Sequence, residues 1–224
     1  MLLAATLAAL PLLSAQAGTL GDLARSVQSG ETRAEGLFGK IEVPGGSLSA
    51  LPKWRRVLDT MQIWGGRLSN CVGPAGICEP SYLESFREGV ERARGLPPYE
   101  QLKVITAHFN RWPYKLDPDN FQTSDYWATP FEFLARSGDC EDYSIVKFYA
   151  LKELGFRNED MRIVVLFDRI RGLAHAVLAV KLNGDEFILD NQANVVMSHK
   201  RYKHYDPQYS VNETTRWVHI GELQ

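Results

Sequence analysis

Residues 138–143 read Gly-Asp-Cys-Glu-Asp-Tyr, and residues 174–190 read Ala-His-Ala-Val-Leu-Ala-Val-Lys-Leu-Asn-Gly-Asp-Glu-Phe-Ile-Leu-Asp. The hydrophobic period changes between these two stretches, and that change decides the fold. From Asp139 onward, Tyr143, Val146, Ala150, Leu151 and Leu154 recur at three- and four-residue steps, and Gly155 supplies a C-terminal stop. This predicts a helix with Cys140 in its first turn. Residues 161–167, 174–182 and 186–190 are rich in Ile, Val, Leu and Phe and predict strands, with Asn183-Gly184 as a two-residue hairpin turn.

Upstream of Cys140 the pattern is helical. Trp54, Val57, Leu58 and Met61 make one apolar stripe, and Leu83, Phe86 and Val90 make another. After the Pro97-Pro98 break, Leu102, Ile105, Phe109 and Trp112 make a third, with His108 beside it as a structural residue. Residues 113–128 form a polar loop studded with aromatics, long enough to be functional or mobile. Thr129-Pro130-Phe131-Glu132 then carries the marks of a capped helix start. Helices, a cysteine-bearing helix and then an antiparallel sheet make an α+β plan.

Composition narrows the function. The chain has 224 residues, 45% hydrophobic, 11% aromatic and 23% charged, which excludes disordered, collagen-like and coiled-coil proteins. A net charge of −2 speaks against a nucleic-acid partner. Beyond the first residues, no apolar run reaches the roughly 18–20 residues that span a bilayer. Residues 2–13 are apolar or small and Ala15-Gln16-Ala17 has the small-x-small form of a cleavage site, although no Lys or Arg precedes the run. We read residues 1–17 as a signal peptide rather than a buried helix, 18–50 as an N-terminal arm and 51–224 as the functional domain. Export allows Cys71 and Cys78 to pair across a Gly- and Pro-containing loop, the alternative being two separate buried thiols. If they pair, Cys140 is the unpaired cysteine and a candidate reactive thiol.

Three residues then form a constellation. With Asn183-Gly184 as the loop, Leu182 pairs with Asp185, His175 falls opposite Gln192, and Asp190 lies one diagonal step away on the same face. A carboxylate can thus orient an imidazole, as nucleophilic catalysis requires. Cys140 completes the set if its helix points its N-terminus at the hairpin, where exposed N–H groups favour a thiolate. The Cys140 amide and the Trp127 indole are the candidate oxyanion donors. Each residue has an ordinary structural role when taken singly; the shared register argues for chemistry.

Gly138-Asp139-Cys140-Glu141-Asp142-Tyr143, Ala174-His175-Ala176-Val177-Leu178 and Ile188-Leu189-Asp190-Asn191 resemble the bacterial transglutaminase-like cysteine proteinases, and within them the LapG-type periplasmic proteases. So do residues 126–134, 151–155 and 207–212, in one order over roughly residues 50–220. Ala176 departs from a Met that is common after the family's catalytic His, which leaves the triad untouched. The resemblance implies a papain- or transglutaminase-like core, a Cys140–His175–Asp190 triad, and cleavage of a large surface adhesin near its N-terminus in the periplasm, releasing a biofilm. It also implies control by an inner-membrane cyclic di-GMP receptor of the LapD type. A thiol acyltransferase using an amine acceptor, or an exported binding domain with an idle cysteine, are the competing readings.

Asp139, Glu141 and Asp142 surround a cysteine that works as a thiolate, and like charge opposes that state. Either they simply face water and cap the helix, or a cation neutralises them; hard oxygen ligands suit calcium better than zinc. The resemblance implies calcium dependence through Asp139 and Glu141, with Asp142 a weaker ligand that can instead cap the helix.

Overall fold

A computed structural model describes residues 36–222. The expected signal peptide, and residues 18–35 of the expected arm, lie outside the described residues. The apolar stripes become α1 (Pro52–Trp64), α2 (Gly66–Val72), α3 (Glu84–Ala93) and α4 (Pro98–Phe109). Proline opens α1 and α4, where its missing N–H costs nothing. Trp54, Val57, Phe86, Val90, Leu102, Ile105 and Phe109 are all buried, as their spacing predicts. Trp112 falls beyond the end of α4 but still packs on Phe109 and Phe133. Within 113–128 there is one short helix, α5 (Asp117–Asn120), followed by α6 (Pro130–Arg136) and α7 (Cys140–Glu153). The capping box on α6 forms: Glu132 accepts from the Thr129 amide at 2.8 Å, and Thr129 Oγ1 accepts from the Glu132 amide at 3.3 Å.

The strands are β1 (Lys40–Pro44), β2 (Met161–Asp168), β3 (Leu173–Leu182), β4 (Asp185–Leu189), β5 (Met197–Ser198), β6 (Tyr205–Val211) and β7 (Arg216–Glu222). They form one antiparallel sheet in the order β1-β7-β6-β2-β3-β4-β5. The hairpin register is the expected one: Leu182 faces Asp185 and Leu178 faces Leu189. Asn183 and Gly184 both have positive φ, as such a turn requires. β1 comes from the stretch expected as an arm and pairs with β7 at the sheet edge.

Alternation along the strands makes two cores. Met161, Ile163, Leu178 and Val180 face the helices, while Val164, Leu166, Val177, Ala179 and Ile188 join Leu37, Tyr202 and Tyr205 on the other face. α7 lies between β2–β3 and helices α3, α4 and α6. Its residues 141–151 are therefore buried all round, polar ones included, where the sequence stripe suggested one covered face. Cys71 and Cys78 form a disulfide, which resolves the two alternatives and adds on the order of 2–3 kcal/mol by closing a short loop. Cys140 is the free cysteine. Among the described residues no helix is long and apolar enough to cross a membrane.

Candidate active site

The start of α7 is built by one buried carboxylate. Asp142 Oδ2 accepts from the Asp139 amide at 3.1 Å, and Oδ1 accepts from the Ala128 amide at 2.6 Å. It thereby caps the helix and ties the loop carrying Trp127 to the turn carrying Cys140. Gly138 makes this approach possible, because a Cβ there would lie 1.9 Å from Asp142 Oδ2. Burial, with Asp139 and Asp117 adding like charge, pushes the Asp142 carboxyl well above its usual range.

Cys140 Sγ donates to Glu141 Oε2 at 3.3 Å, and no hydrogen bond joins it to the His175 ring among the described residues. The N–H of Ala176, next in sequence to His175, favours charge on the sulfur. It is outweighed: enclosure by the protein, then Glu141 and Asp139, push the thiol well above its ordinary value. Enclosure and the adjacent acids thus oppose the thiolate that a helix N-terminus favours.

The hairpin delivers the other pair. His175 Nε2 donates to Asp190 Oδ1 at 3.0 Å, the two residues being 3% and 2% exposed. The Gln192 amide also donates to Oδ1 at 2.9 Å, and the Tyr205 hydroxyl to Oδ2 at 2.5 Å. Burial drives the Asp190 carboxyl upward, but the bonds from His175, Tyr205 and Gln192 prevail and hold it below its usual range. With Nε2 committed, Nδ1 is the ring nitrogen left for a thiol. Trp127 is buried edge-on to Trp54 at 6.0 Å, and its carbonyl accepts from Arg56. With Leu51, Pro52, Lys53, Trp54, Asp125 and Tyr209 it lines a cavity of about 150 Å³.

Asp139 and Glu141 do not stand alone. Asp117, Asp125 and Glu141 place one oxygen each within 4.8 Å of one another, as do Asp117, Asp139 and Asp142. The crowding is electrostatically costly. Burial first, then the neighbouring Asp139, pushes Glu141 up to about 10, and burial with Asp139 and Asp125 pushes Asp117 up to about 6. Asp117 Oδ1 and Asp139 Oδ1 are buried without a hydrogen-bond partner among the described residues. Two hard oxygen acceptors aimed at no donor, inside a cluster of carboxylates, fit a hard cation such as calcium. Sequence reasoning missed Asp117 and Asp125. The signal was available, since both are acids in the 113–128 loop, but their convergence on α7 depends on how that loop folds.

A sequence profile of the bacterial transglutaminase-like cysteine proteinase BTLCP matches residues 72–224. Among curated proteins, none matches. Among solved structures, calcium-bound LapG of Legionella pneumophila is 25% identical with a TM-score of 0.56, covering 64% of this chain and 81% of that one. A second structure of Legionella pneumophila LapG is 23% identical with a TM-score of 0.56, covering 79% of this chain and 90% of that one. An EGTA-treated form covers 79% and 87% at the same identity and TM-score. The papain- or transglutaminase-like fold expected from the motifs is therefore the fold observed, and this chain belongs to the bacterial transglutaminase-like cysteine proteinases.

Proposed function

We propose that this chain is an exported, calcium-dependent cysteine endopeptidase acting through Cys140, His175 and Asp190. The observation that carries the reading is the buried His175–Asp190 pair, with the N–H of the next residue, Ala176, favouring charge on the sulfur of a free cysteine at a helix start. His175 Nδ1 takes the thiol proton and Sγ attacks a peptide carbonyl. The Cys140 amide and the Trp127 indole meet the oxyanion. The imidazolium returns its proton to the leaving amine, and water then hydrolyses the thioester.

Asp117, Asp125, Asp139 and Glu141 would hold the cation, while Asp142 has both oxygens engaged by backbone amides. Bound calcium supplies positive charge that offsets the carboxylates opposing the thiolate. The calcium-bound form of Legionella pneumophila LapG, at 25% identity, supports this choice of ion. By the same family likeness, the substrate is a large surface adhesin cut near its N-terminus in the periplasm. Its cleavage releases a biofilm under an inner-membrane cyclic di-GMP receptor.

The test is to incubate the protein with the N-terminal region of a large repeat adhesin encoded in the same genome. A discrete cut is expected with calcium, none with EGTA, and none from Cys140→Ala under either condition. Including a labelled amine separates chemistries: amine adducts in place of fragments would turn the reading to acyl transfer. Wild-type cleavage by folded Cys140→Ala would sink it.

A further inference from the structure

Asp190 is fixed from behind by a residue outside the triad. Tyr205 opens β6, is 4% exposed, and donates its hydroxyl to Asp190 Oδ2 at 2.5 Å. Its ring stands edge-on to the His175 ring at 5.9 Å. The two oxygens of Asp190 are thereby divided: Oδ1 serves His175 and the Gln192 amide, and Oδ2 serves Tyr205. The division matters because the terminal torsion of an aspartate is broad. Bonds to one oxygen alone leave the carboxylate plane free to swing, whereas a donor on the other oxygen fixes it.

Tyr205 is itself held. Its ring stacks on Tyr202 at 5.0 Å and meets Phe38 edge-on at 5.7 Å. The Phe38 amide donates to His199 Nδ1 at 2.9 Å. Phe38 precedes the region matched by the family profile, so part of this support comes from the chain's own N-terminal segment. Burial and the adjacent Asp190 both raise the Tyr205 phenol, keeping it a donor across the neutral range.

We propose that Tyr205 is a positioning residue of the active site, whose hydroxyl holds Asp190 Oδ2 so that Oδ1 is presented to His175 Nε2. The proposal rests on the triad reading. As the imidazole takes up the thiol proton, a neutral donor on Oδ2 orients the aspartate without neutralising it, so its full charge remains available to the imidazolium.

Tyr205→Phe keeps the ring and its packing and removes only the hydroxyl. Two substrate-free readouts apply to the whole chain with calcium present: the rate of Cys140 alkylation by iodoacetamide, and the low-field proton resonance of His175 Nε2–H. Tyr205→Phe is expected to slow alkylation about tenfold, the scale of one charge-assisted hydrogen bond, and to shift the His175 resonance. Phe38→Ala, which loosens the Tyr205 ring, should move both in the same direction by less. Tyr202→Phe should leave the resonance in place, which an unspecific packing effect would not do. Wild-type alkylation with an unmoved resonance in Tyr205→Phe overturns the proposal. Asp190→Asn and His175→Ala run alongside: if these react like wild type, the triad reading itself fails and takes the proposal with it. If they slow and Tyr205→Phe does not, only the role of Tyr205 is lost.

Discussion

Between Cys140 Sγ and the Glu141 carboxylate lies a 3.3 Å hydrogen bond, while 3.0 Å separates His175 Nε2 from Asp190 Oδ1. On the proposed reading the base is therefore assembled, and the thiol is engaged elsewhere. Within such a set the three roles are unequal. His175→Ala removes the base and should cost as much as losing the thiol. Asp190→Asn keeps the shape but not the charge, and should retain more activity than His175→Ala, by about tenfold. Matched cleavage rates check this, and equal losses would contradict it. Lys147 is a second residue-scale oddity, fully buried in α7 with no hydrogen-bond partner for Nζ among the described residues. Burial pushes its ammonium down to about 7, with Asp190 pulling partly the other way. An unfolded lysine titrates near 10.4. Between about pH 7 and 10 the unfolded chain thus binds one more proton than the native one, and this group makes stability rise with pH. Below about pH 7 both states are protonated and the burial penalty is complete. Lys147→Met removes that penalty, so it should be stabilised most below pH 7, with a margin that shrinks toward pH 10. Urea unfolding from pH 6 to 9.5 measures it, and a margin that grows with pH would refute the assignment.

The hairpin and α7 differ in how openly the sequence announces them. In β3–β4 the side-chain period is two and the Asn183-Gly184 turn admits one register, so the His175–Asp190 partnership follows by counting. In α7 the sequence marks the start and stop but not the surroundings, because burial of Ser144 and Lys147 depends on which elements close over the helix. The acid cluster was half legible for the same reason. Asp139 and Glu141 flank the cysteine in sequence, whereas Asp117 and Asp125 arrive through the folding of a loop. Gly138 joins these elements, since it leaves room for Asp142 to bind the Asp139 and Ala128 amides. Gly138→Ala should expel that carboxylate and free the Trp127 loop. A lower unfolding midpoint together with at least tenfold slower cleavage is expected, and a neutral outcome in both would show that the start of α7 tolerates the displacement.

For the molecule as a whole, the fold brings acids from the 113–128 loop and the start of α7 to one place beside Cys140. Such an assembly is poorly stable without a counter-ion and gains from one, since a ligand that binds only the native state adds stability by mass action. Activity and stability should then depend on the same ion. The most direct test is the rate of Cys140 alkylation by iodoacetamide, followed by mass spectrometry near neutral pH, in calcium and in EGTA. Rapid labelling is expected with calcium, at least tenfold slower labelling in EGTA, recovery on adding calcium back, and a slow, calcium-insensitive rate in Asp139→Ala and Glu141→Ala. Equal labelling in calcium and EGTA would contradict this dependence and return these carboxylates to helix capping alone.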